Sequence, residues 1–430
     1  MTRVTQRFEP QGLAPPAGRH VRRAASSAAD PRAALAELAA DPRAALAELA
    51  AELAAEPAAL TILWISPEHD LAAVEAALAR APFGPGPVIG CTTAGEIAPD
   101  GYRSGAIVGA AFPARLFTAA AELIAPLESF ALEDGARVVN ALRRRVEAAG
   151  PPRACAFALM MADGLSLQED ALVSSLGGAL GDVPLIGGSA GDGLEFRNAF
   201  VLHGGRFARD AAAVALIASD CPVRVFRFDH FQPTDRRMVV TRADPDRRVV
   251  HEINAEPAAL EYARLIGADP DQLTMFTFAA NPLVVRVGGQ HHVRSIQRIG
   301  DTHELKFYSA IDEGLVLTVA RAGDLAAHLD AALAELGEGA EAPDLVIGHD
   351  CLLRRLEAEQ TQRAAEVSRV LARRRVVGFN TYGEQHNMLH VNQTFTGVAV
   401  YPPRASGAPR RAADGVLAPA PRPLAPTEGA

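Results

Sequence analysis

Three stretches of the chain pass through the same succession of apolar and polar segments. A β-rich apolar run ends in a polar turn at residues 61–66 into 67–70, at 156–161 into 162–164, and at 345–348 into His349-Asp350. Segments with helical apolar periodicity follow at 71–80, 168–180 and 357–374. Each is followed by a short strand that runs into a glycine-rich turn, and then by another strand, at 106–112, 213–218 and 395–401. Two of the turns, residues 88–96 and 376–384, share a V-x-G-x-x-T-x-G-E frame, and residues 184–192 form a looser copy. The pattern predicts a strand–turn–helix–strand–Gly-turn–strand module used three times. Strands alternating with helices give α/β layers, with parallel strand pairs where a helix crosses over. The polar turns then gather along one edge, where open α/β sheets bind ligands.

Residues 224–321 read differently, as mixed α+β. Strands are predicted at 223–228, 238–241, 247–252, 283–287, 295–298 and 315–320, with a helix over 256–266 begun by Pro257. A boundary near residues 219–222 separates an N-terminal domain, 30–220, from a C-terminal domain, 221–402. Residues 1–29 and 403–430 are rich in Pro, Ala, Arg and Gly without apolar periodicity, and are expected to be disordered tails. Between Asp30 and Ala51 an Asp-Pro-Arg-Ala-Ala-Leu-Ala-Glu-Leu-Ala-Ala unit occurs twice. Asp30 and Asp41 suit helix N-caps and Pro31 and Pro42 the first helical position, so this segment is expected to be helical.

Composition narrows the function classes. Hydrophobic residues make up 49% of the 430, enough for a large core without disulfides or a structural metal. The formal charge is −9 and no basic block offsets it, which argues against a nucleic-acid surface. Four cysteines lie far apart with no C-x-x-C pair, fitting a reducing compartment. No secretory h-region and no apolar run of about 20 residues is present, so a cytoplasmic protein without a membrane span is expected.

The Gly90-Cys91-Thr92-Thr93-Ala94-Gly95-Glu96-Ile97 run, Pro99-Asp100-Gly101-Tyr102 and Gly187-Gly188-Ser189-Ala190-Gly191-Asp192-Gly193 resemble the N-terminal FIST domain. Asp350-Cys351-Leu352-Leu353-Arg354-Arg355, and residues 378–384 followed by Asn392-Gln393-Thr394, resemble the FIST C-terminal domain. The likeness runs from about residue 60 to 401. It implies two FIST halves acting as a sensory, signal-transducing input module. It further implies the NosP type, which binds haem, senses nitric oxide, and acts on a histidine kinase or a cyclic-di-GMP enzyme (diguanylate cyclase or phosphodiesterase). No kinase, phosphoacceptor, GGDEF or EAL signature is present, so the chain resembles the stand-alone type. The oligomeric state is left open, a homo-oligomer included.

A haem sensor needs an axial ligand, usually imidazole, in an apolar slot. His390, flanked by Met388, Leu389 and Val391, is the first candidate to hold the iron of haem b. His349, after an apolar strand, is the second, and His251 and His386 follow. His386 and His390 at i, i+4 also allow a zinc reading on a helix, although H-E-x-x-H and a third ligand are lacking. The glycine-rich turns allow a phosphate-loop reading, but G-x-x-x-x-G-K-[ST] is absent, and turn geometry explains the glycines more simply. Thr92, Thr93, Glu96, Asp192, Thr381, Tyr382 and Glu384 either link the modules or, in a haem-free alternative, contact a small metabolite such as an amino acid. Cys91 and Cys351 lie near strand ends, where a thiol nucleophile is conceivable and a buried structural cysteine the better reading. No catalytic residue is assigned, and the chain reads as a sensor and not an enzyme.

Overall fold

The structure, a computed structural model, describes residues 21–26, 42–80, 82–287 and 289–403. Three repeats account for most of it. The first comprises β1 (Arg22–Ser26), α1 (Pro42–Leu53), β2 (Ala58–Ile65), α2 (Leu71–Leu78), β3 (Val88–Thr92), a hairpin of β4 (Glu96–Ala98) and β5 (Gly101–Arg103), and β6 (Ile107–Pro113). The second has the same parts: β7 (Phe117–Ile124), α3 (Asp134–Ala149), β8 (Cys155–Asp163), α4 (Glu169–Leu180), β9 (Leu185–Ala190), β10 (Val201–His203), β11 (Arg206–Ala208) and β12 (Ala212–Ser219).

The third repeat begins with β13 (Val223–Phe228) and is then interrupted by an insert. The insert contains β14 (Phe231–Asp244), β15 (Val249–Ile253), β16 (Glu256–Pro257), α5 (Ala258–Ile266), α6 (Met275–Ala280), β17 (Leu283–Val287), β18 (Gln290–Arg294), β19 (Ile296–Ile299), β20 (Leu305–Phe307) and β21 (Val316–Ala322). The repeat resumes with α7 (Leu325–Ala334), β22 (Leu345–Cys351), α8 (Leu352–Gln360), α9 (Ala364–Arg373), β23 (Val376–Thr381), β24 (Glu384–His386), β25 (Leu389–Val391) and β26 (Phe395–Val400).

The sheet orders make the repetition explicit. They are β1-β6-β2-β3-β10-β11, β7-β12-β8-β9-β24-β25 and β13-β26-β22-β23-β4-β5. In each, the two strands joined by a crossover helix are parallel (β2 with β3, β8 with β9, β22 with β23) and the remaining neighbours are antiparallel. Each sheet is completed by a hairpin from another repeat. The second repeat lends its hairpin to the first sheet, the third to the second, and the first to the third. The ring of exchanges is closed.

Burial explains why the strands read as nearly continuous apolar runs. Leu60, Ile62 and Trp64 of β2, Phe157, Leu159 and Met161 of β8, and Leu345 and Ile347 of β22 meet in one central core. The opposite faces are covered by helices, as where Leu63 and Ile65 pack beneath Leu46, Leu49, Leu53 and Val74. Strands covered on both faces lose the alternation of a half-exposed sheet. The insert has its own core, including Met238, Val250, Tyr262, Phe278, Phe307 and Leu317.

Three expectations need correction. Arg22–Ser26, placed in a disordered tail, forms an edge strand paired with β6, with Ala24 and Ser26 buried. The helix expected over 357–374 starts at Leu352 and breaks after Gln360: the Thr361 hydroxyl bonds back to the Glu357 carbonyl at 2.7 Å, and Gln362 takes a left-handed φ of 58°. Residues 223–228, read as the start of the different region, belong to the sheet of the third repeat. The remaining tail residues and the first copy of the duplicated unit lie outside the described residues, while the second copy forms α1. No helix among the described residues is long and apolar enough to cross a membrane.

Candidate functional site

The first glycine of each glycine-rich turn occupies the same place in each sheet. A Cβ on Gly90, Gly187 or Gly378 would run into the carbonyl of Leu63, Met160 or Gly348 on the adjacent parallel strand. Close backbone approach therefore fixes this letter of the repeated motif. Replacing Gly187 with valine is expected to cost more stability than the same change at exposed Gly204, as measured by urea unfolding.

Beyond those glycines the turns interlock the repeats through backbone hydrogen bonds. Ala94 N–H donates to Asn380 O (2.9 Å) and Asn380 N–H to Gly95 O (2.7 Å). Ser189 N–H donates to Gly383 O (2.8 Å) and Thr92 N–H to Phe200 O (2.9 Å) in the other two junctions. Gly95, with φ of 137°, leaves room for the Arg355 guanidinium, which bonds the Arg103 carbonyl (2.9 Å) and the Ser104 hydroxyl (2.8 Å).

Threonine and glutamate of the shared frame form a lock within each of two repeats. Thr93 donates to Glu96 Oε1 at 2.5 Å, and Glu96 Oε2 accepts the Ala106 N–H at 3.1 Å, at the start of β6. Thr381 donates likewise to Glu384, whose Oε2 accepts the Thr394 N–H (3.1 Å) and hydroxyl (2.7 Å) just before β26. Burial raises Glu96 to about 7 and Glu384 to about 8 against the pull of these bonds. Asp192 of the looser copy has a different task. Its carboxylate accepts the N–H groups of Phe196 (2.8 Å), Arg197 (2.9 Å) and Asn198 (2.7 Å) and the Tyr382 hydroxyl (2.5 Å). The Tyr382 ring lies against Gly164 and Gly191 and stacks on Phe196, with centroids 4.5 Å apart. Thr92 accepts the Phe200 N–H at 3.0 Å. All seven turn residues thus have their polar groups engaged by the protein itself.

The histidines are dispersed. His349 is fully buried, equivalent by register to Trp64 and Met161, with its ring centroid 5.4 Å from that of Phe379. Burial, only partly offset by the Gly187 backbone, lowers it to about 3, so it is neutral at pH 7. His386 and His390 stand on a hairpin and not on a helix: His390 pairs with Gln385 and His386 with Leu389, so the two imidazoles point to opposite faces and cannot share a zinc ion. Among the described residues no group of three or more His, Cys, Asp or Glu is arranged to hold a metal. His251 lines a charged cavity of the insert. Cys91 and Cys351 are buried and their thiols pushed up by burial, the opposite of an activated nucleophile.

His390 lies where three parts of the molecule meet. The hairpin β24–β25 supplies His390, Gln385 and, just after it, Asn392. The first turn of α4 supplies Glu169 and Asp170, and β18 packs against β25 and brings Arg294. Gln385 Nε2 donates to Ser189 Oγ at 2.9 Å and lies 3.3 Å from His390 Nδ1. Arg248 of the insert reaches across to Glu169 (2.9 Å), Asp170 (3.1 Å) and the Leu167 carbonyl (3.0 Å). Burial lowers His390, with Glu169 and Asp170 acting in the other direction.

Several buried polar atoms here have no partner among the described groups: Gln385 Oε1, both amide atoms of Asn392, and Nε and Nη1 of Arg294. Buried polar groups are nearly always hydrogen-bonded, so such a concentration marks a place for water or ligand. Sequence reading finds His390, and finds Asn392 within a motif without a role for it. It misses Arg294, Gln385, Arg248, Glu169 and Asp170, because only the packing of insert against repeats makes them neighbours.

Haem does not fit these residues. A Cβ on Gly383 would lie 2.4 Å from His390 Cε1 and 2.9 Å from its Nε2, so the Gly383 backbone packs directly on this edge of the imidazole and leaves no space for a porphyrin beside it. His349 is enclosed by core side chains, and the cavity at His251 is lined by Arg247, Arg298, Lys306 and Glu304 and is not an apolar slot.

The profile of the FIST N domain matches residues 59–256, and that of the FIST C domain matches residues 258–387. No curated protein sequence matches the chain. FIST domains are sensory modules of signal transduction. With both profiles present in order over most of its length, the chain belongs to the FIST-domain family.

Proposed function

We propose that the protein is a signal-input module whose junction site binds a small carboxylate-bearing metabolite, such as an amino acid, in place of haem. The observation that carries this reading is the group of buried atoms on Arg294, Asn392 and Gln385 beside His390 that have no hydrogen-bond partner among the described residues. Each such group costs about 1–3 kcal/mol if left unmatched. A carboxylate satisfies the Arg294 guanidinium and the Asn392 amide N–H, and an ammonium or hydroxyl satisfies Gln385 Oε1. Neutral His390 adds a donor or an acceptor according to its tautomer.

Such a ligand would tie the insert to the second and third repeats. It would favour the docked arrangement over any state in which the insert stands away, and a partner that distinguishes the two would read its concentration. A histidine kinase or a cyclic-di-GMP enzyme is the partner class we propose.

Thermal denaturation against a panel of amino acids and small carboxylates tests the site. The expected result is a saturable rise in Tm for one ligand, lost in Arg294→Met. Without ligand, Arg294→Met is expected to be about 1 kcal/mol more stable than the parent, because the buried Nε and Nη1 without hydrogen-bond partners among the described residues cost more than the attraction of the guanidinium to Asp170 returns. Loss of folding in that variant would make Arg294 structural. Added haemin is expected to show only the spectrum of free haem. A sharp Soret band that disappears in His390→Ala would instead restore the haem and nitric-oxide reading.

A further inference from the structure

The insert holds a cavity of about 210 Å³ away from the junction atoms, formed where β15, β19 and β20 run side by side. Arg247, His251, Arg298 and Lys306 face it, with Glu304, and Leu167 closes one side from the second repeat. Lys306 is the only lysine in the chain.

Two observations show that positive charge is in excess. Among the described residues none gives the side chains of Arg247, Arg298 or Lys306 a hydrogen bond or ion pair. One carboxylate, Glu304, stands against three cations, and its Oε2 is held by the Thr302 N–H at 2.8 Å and the Thr302 hydroxyl at 2.6 Å, so the lining keeps a net positive charge. Arg298 and Lys306 also stand directly opposite each other across β19 and β20. Like charges in that position destabilise a sheet unless an anion lies between them. Burial, together with Arg298 and Arg247, lowers the Lys306 ammonium, a repulsion that a bound anion would reverse.

We propose that this cavity binds the phosphate group of a small phosphorylated metabolite, with Arg247, Arg298 and Lys306 surrounding the dianion and His251 beside it. A single carboxylate is satisfied by one guanidinium fork, whereas a phosphate dianion presents three oxygens to three cations. The volume lies below the roughly 300–1,000 Å³ of ordinary small-molecule pockets, so it suits a phosphate carrying a few carbons and excludes a nucleotide. Because Leu167 forms part of the wall, the bound molecule also contacts the segment whose carbonyl is held by Arg248. The site does not depend on the junction site being a ligand site.

Titration calorimetry and thermal shift with glycerol phosphate, at fixed ionic strength, provide the test, with succinate as the dicarboxylate control. The expected result is saturable binding of glycerol phosphate and at least tenfold weaker binding in Arg298→Gln and in Lys306→Met. Arg321→Gln, an exposed change of equal charge outside the cavity, is expected to bind like the parent. Arg298 is exposed, so its variant decides the matter if Lys306→Met folds poorly. Equal binding of succinate, an equal loss in Arg321→Gln, or no saturable binding by the parent overturns the proposal. Arg294→Met is expected to keep its response to glycerol phosphate, which separates this site from the junction.

Discussion

Replacing Arg354 with leucine is expected to lower the unfolding free energy by about 3–5 kcal/mol, the usual effect of stranding one partner of a buried ion pair. Arg354 is 1% exposed. Its Nε donates to Asp350 Oδ1 at 2.7 Å and its Nη1 to His230 Nδ1 at 2.9 Å. With Nδ1 accepting, His230 carries its proton on Nε2 and donates to Glu357 at 2.9 Å. Tyr102, on the hairpin lent by the first repeat, donates its hydroxyl to the same Asp350. Burial pushes the Asp350 carboxyl up, and Arg354 is the main group holding it ionised. Removing Arg354 leaves that carboxylate facing Tyr102 and Asn380 alone. The double variant Asp350→Leu/Arg354→Leu is expected to be less damaged than Arg354→Leu, because no orphan charge remains. Urea unfolding at pH 7 measures both, and a loss under about 1 kcal/mol for the single variant would show that the network contributes little.

Stability is also expected to fall as the pH rises from about 5 to 9. Glu96 and Glu384 titrate near 7 and 8 in the folded chain against 4.5 for an ordinary glutamate. The folded state therefore holds protons that the unfolded state has released. The contribution is complete below pH 4.5, declines through neutrality and is gone above the folded values. A tenfold difference in proton affinity between the two states corresponds to about 1.4 kcal/mol, so the two glutamates together can remove several kcal/mol. Glutamine reproduces the protonated acid: its oxygen accepts the Ala106 or Thr394 N–H, and its amide donates to Thr93 or Thr381. Glu96→Gln/Glu384→Gln is thus expected to have a flatter Tm profile and to exceed the parent at pH 9. A parent Tm independent of pH over this range would contradict the assignment.

The threefold pattern was legible because each repeat must solve the same packing problem. Strands covered on both faces need long apolar runs, and the first turn glycine must clear a neighbouring carbonyl. Those demands leave letters in the sequence, as at Gly90, Gly187 and Gly378. Hairpin exchange left none, since β4, β10 and β24 are three residues each and any edge of matching register could have received them. The insert also hid the third repeat by separating β13 from α7, so residues 223–228 read as part of a different region.

For the site, the sequence indicated the turns and His390 but misjudged what the turns do. Their polar side chains are consumed in locking strands together, and only the geometry shows Thr93, Glu96, Thr381 and Glu384 already satisfied. Arg294 and Asn392 lie almost a hundred positions apart, and no spacing rule joins them. They come together where β18 of the insert packs against β25 and Arg248 binds the first turn of α4.

The closed exchange of hairpins bears on how this chain can be divided. Cutting it anywhere between the second and third repeats removes β24 from β9 and β4 from β23, leaving each fragment with a bare strand flank open to self-association. Halves produced separately should therefore precipitate or pair with the wrong copy, whereas halves made in one cell can find each other. The two sequence profiles are labels along the chain, and the three repeats are expected to fold as one ring.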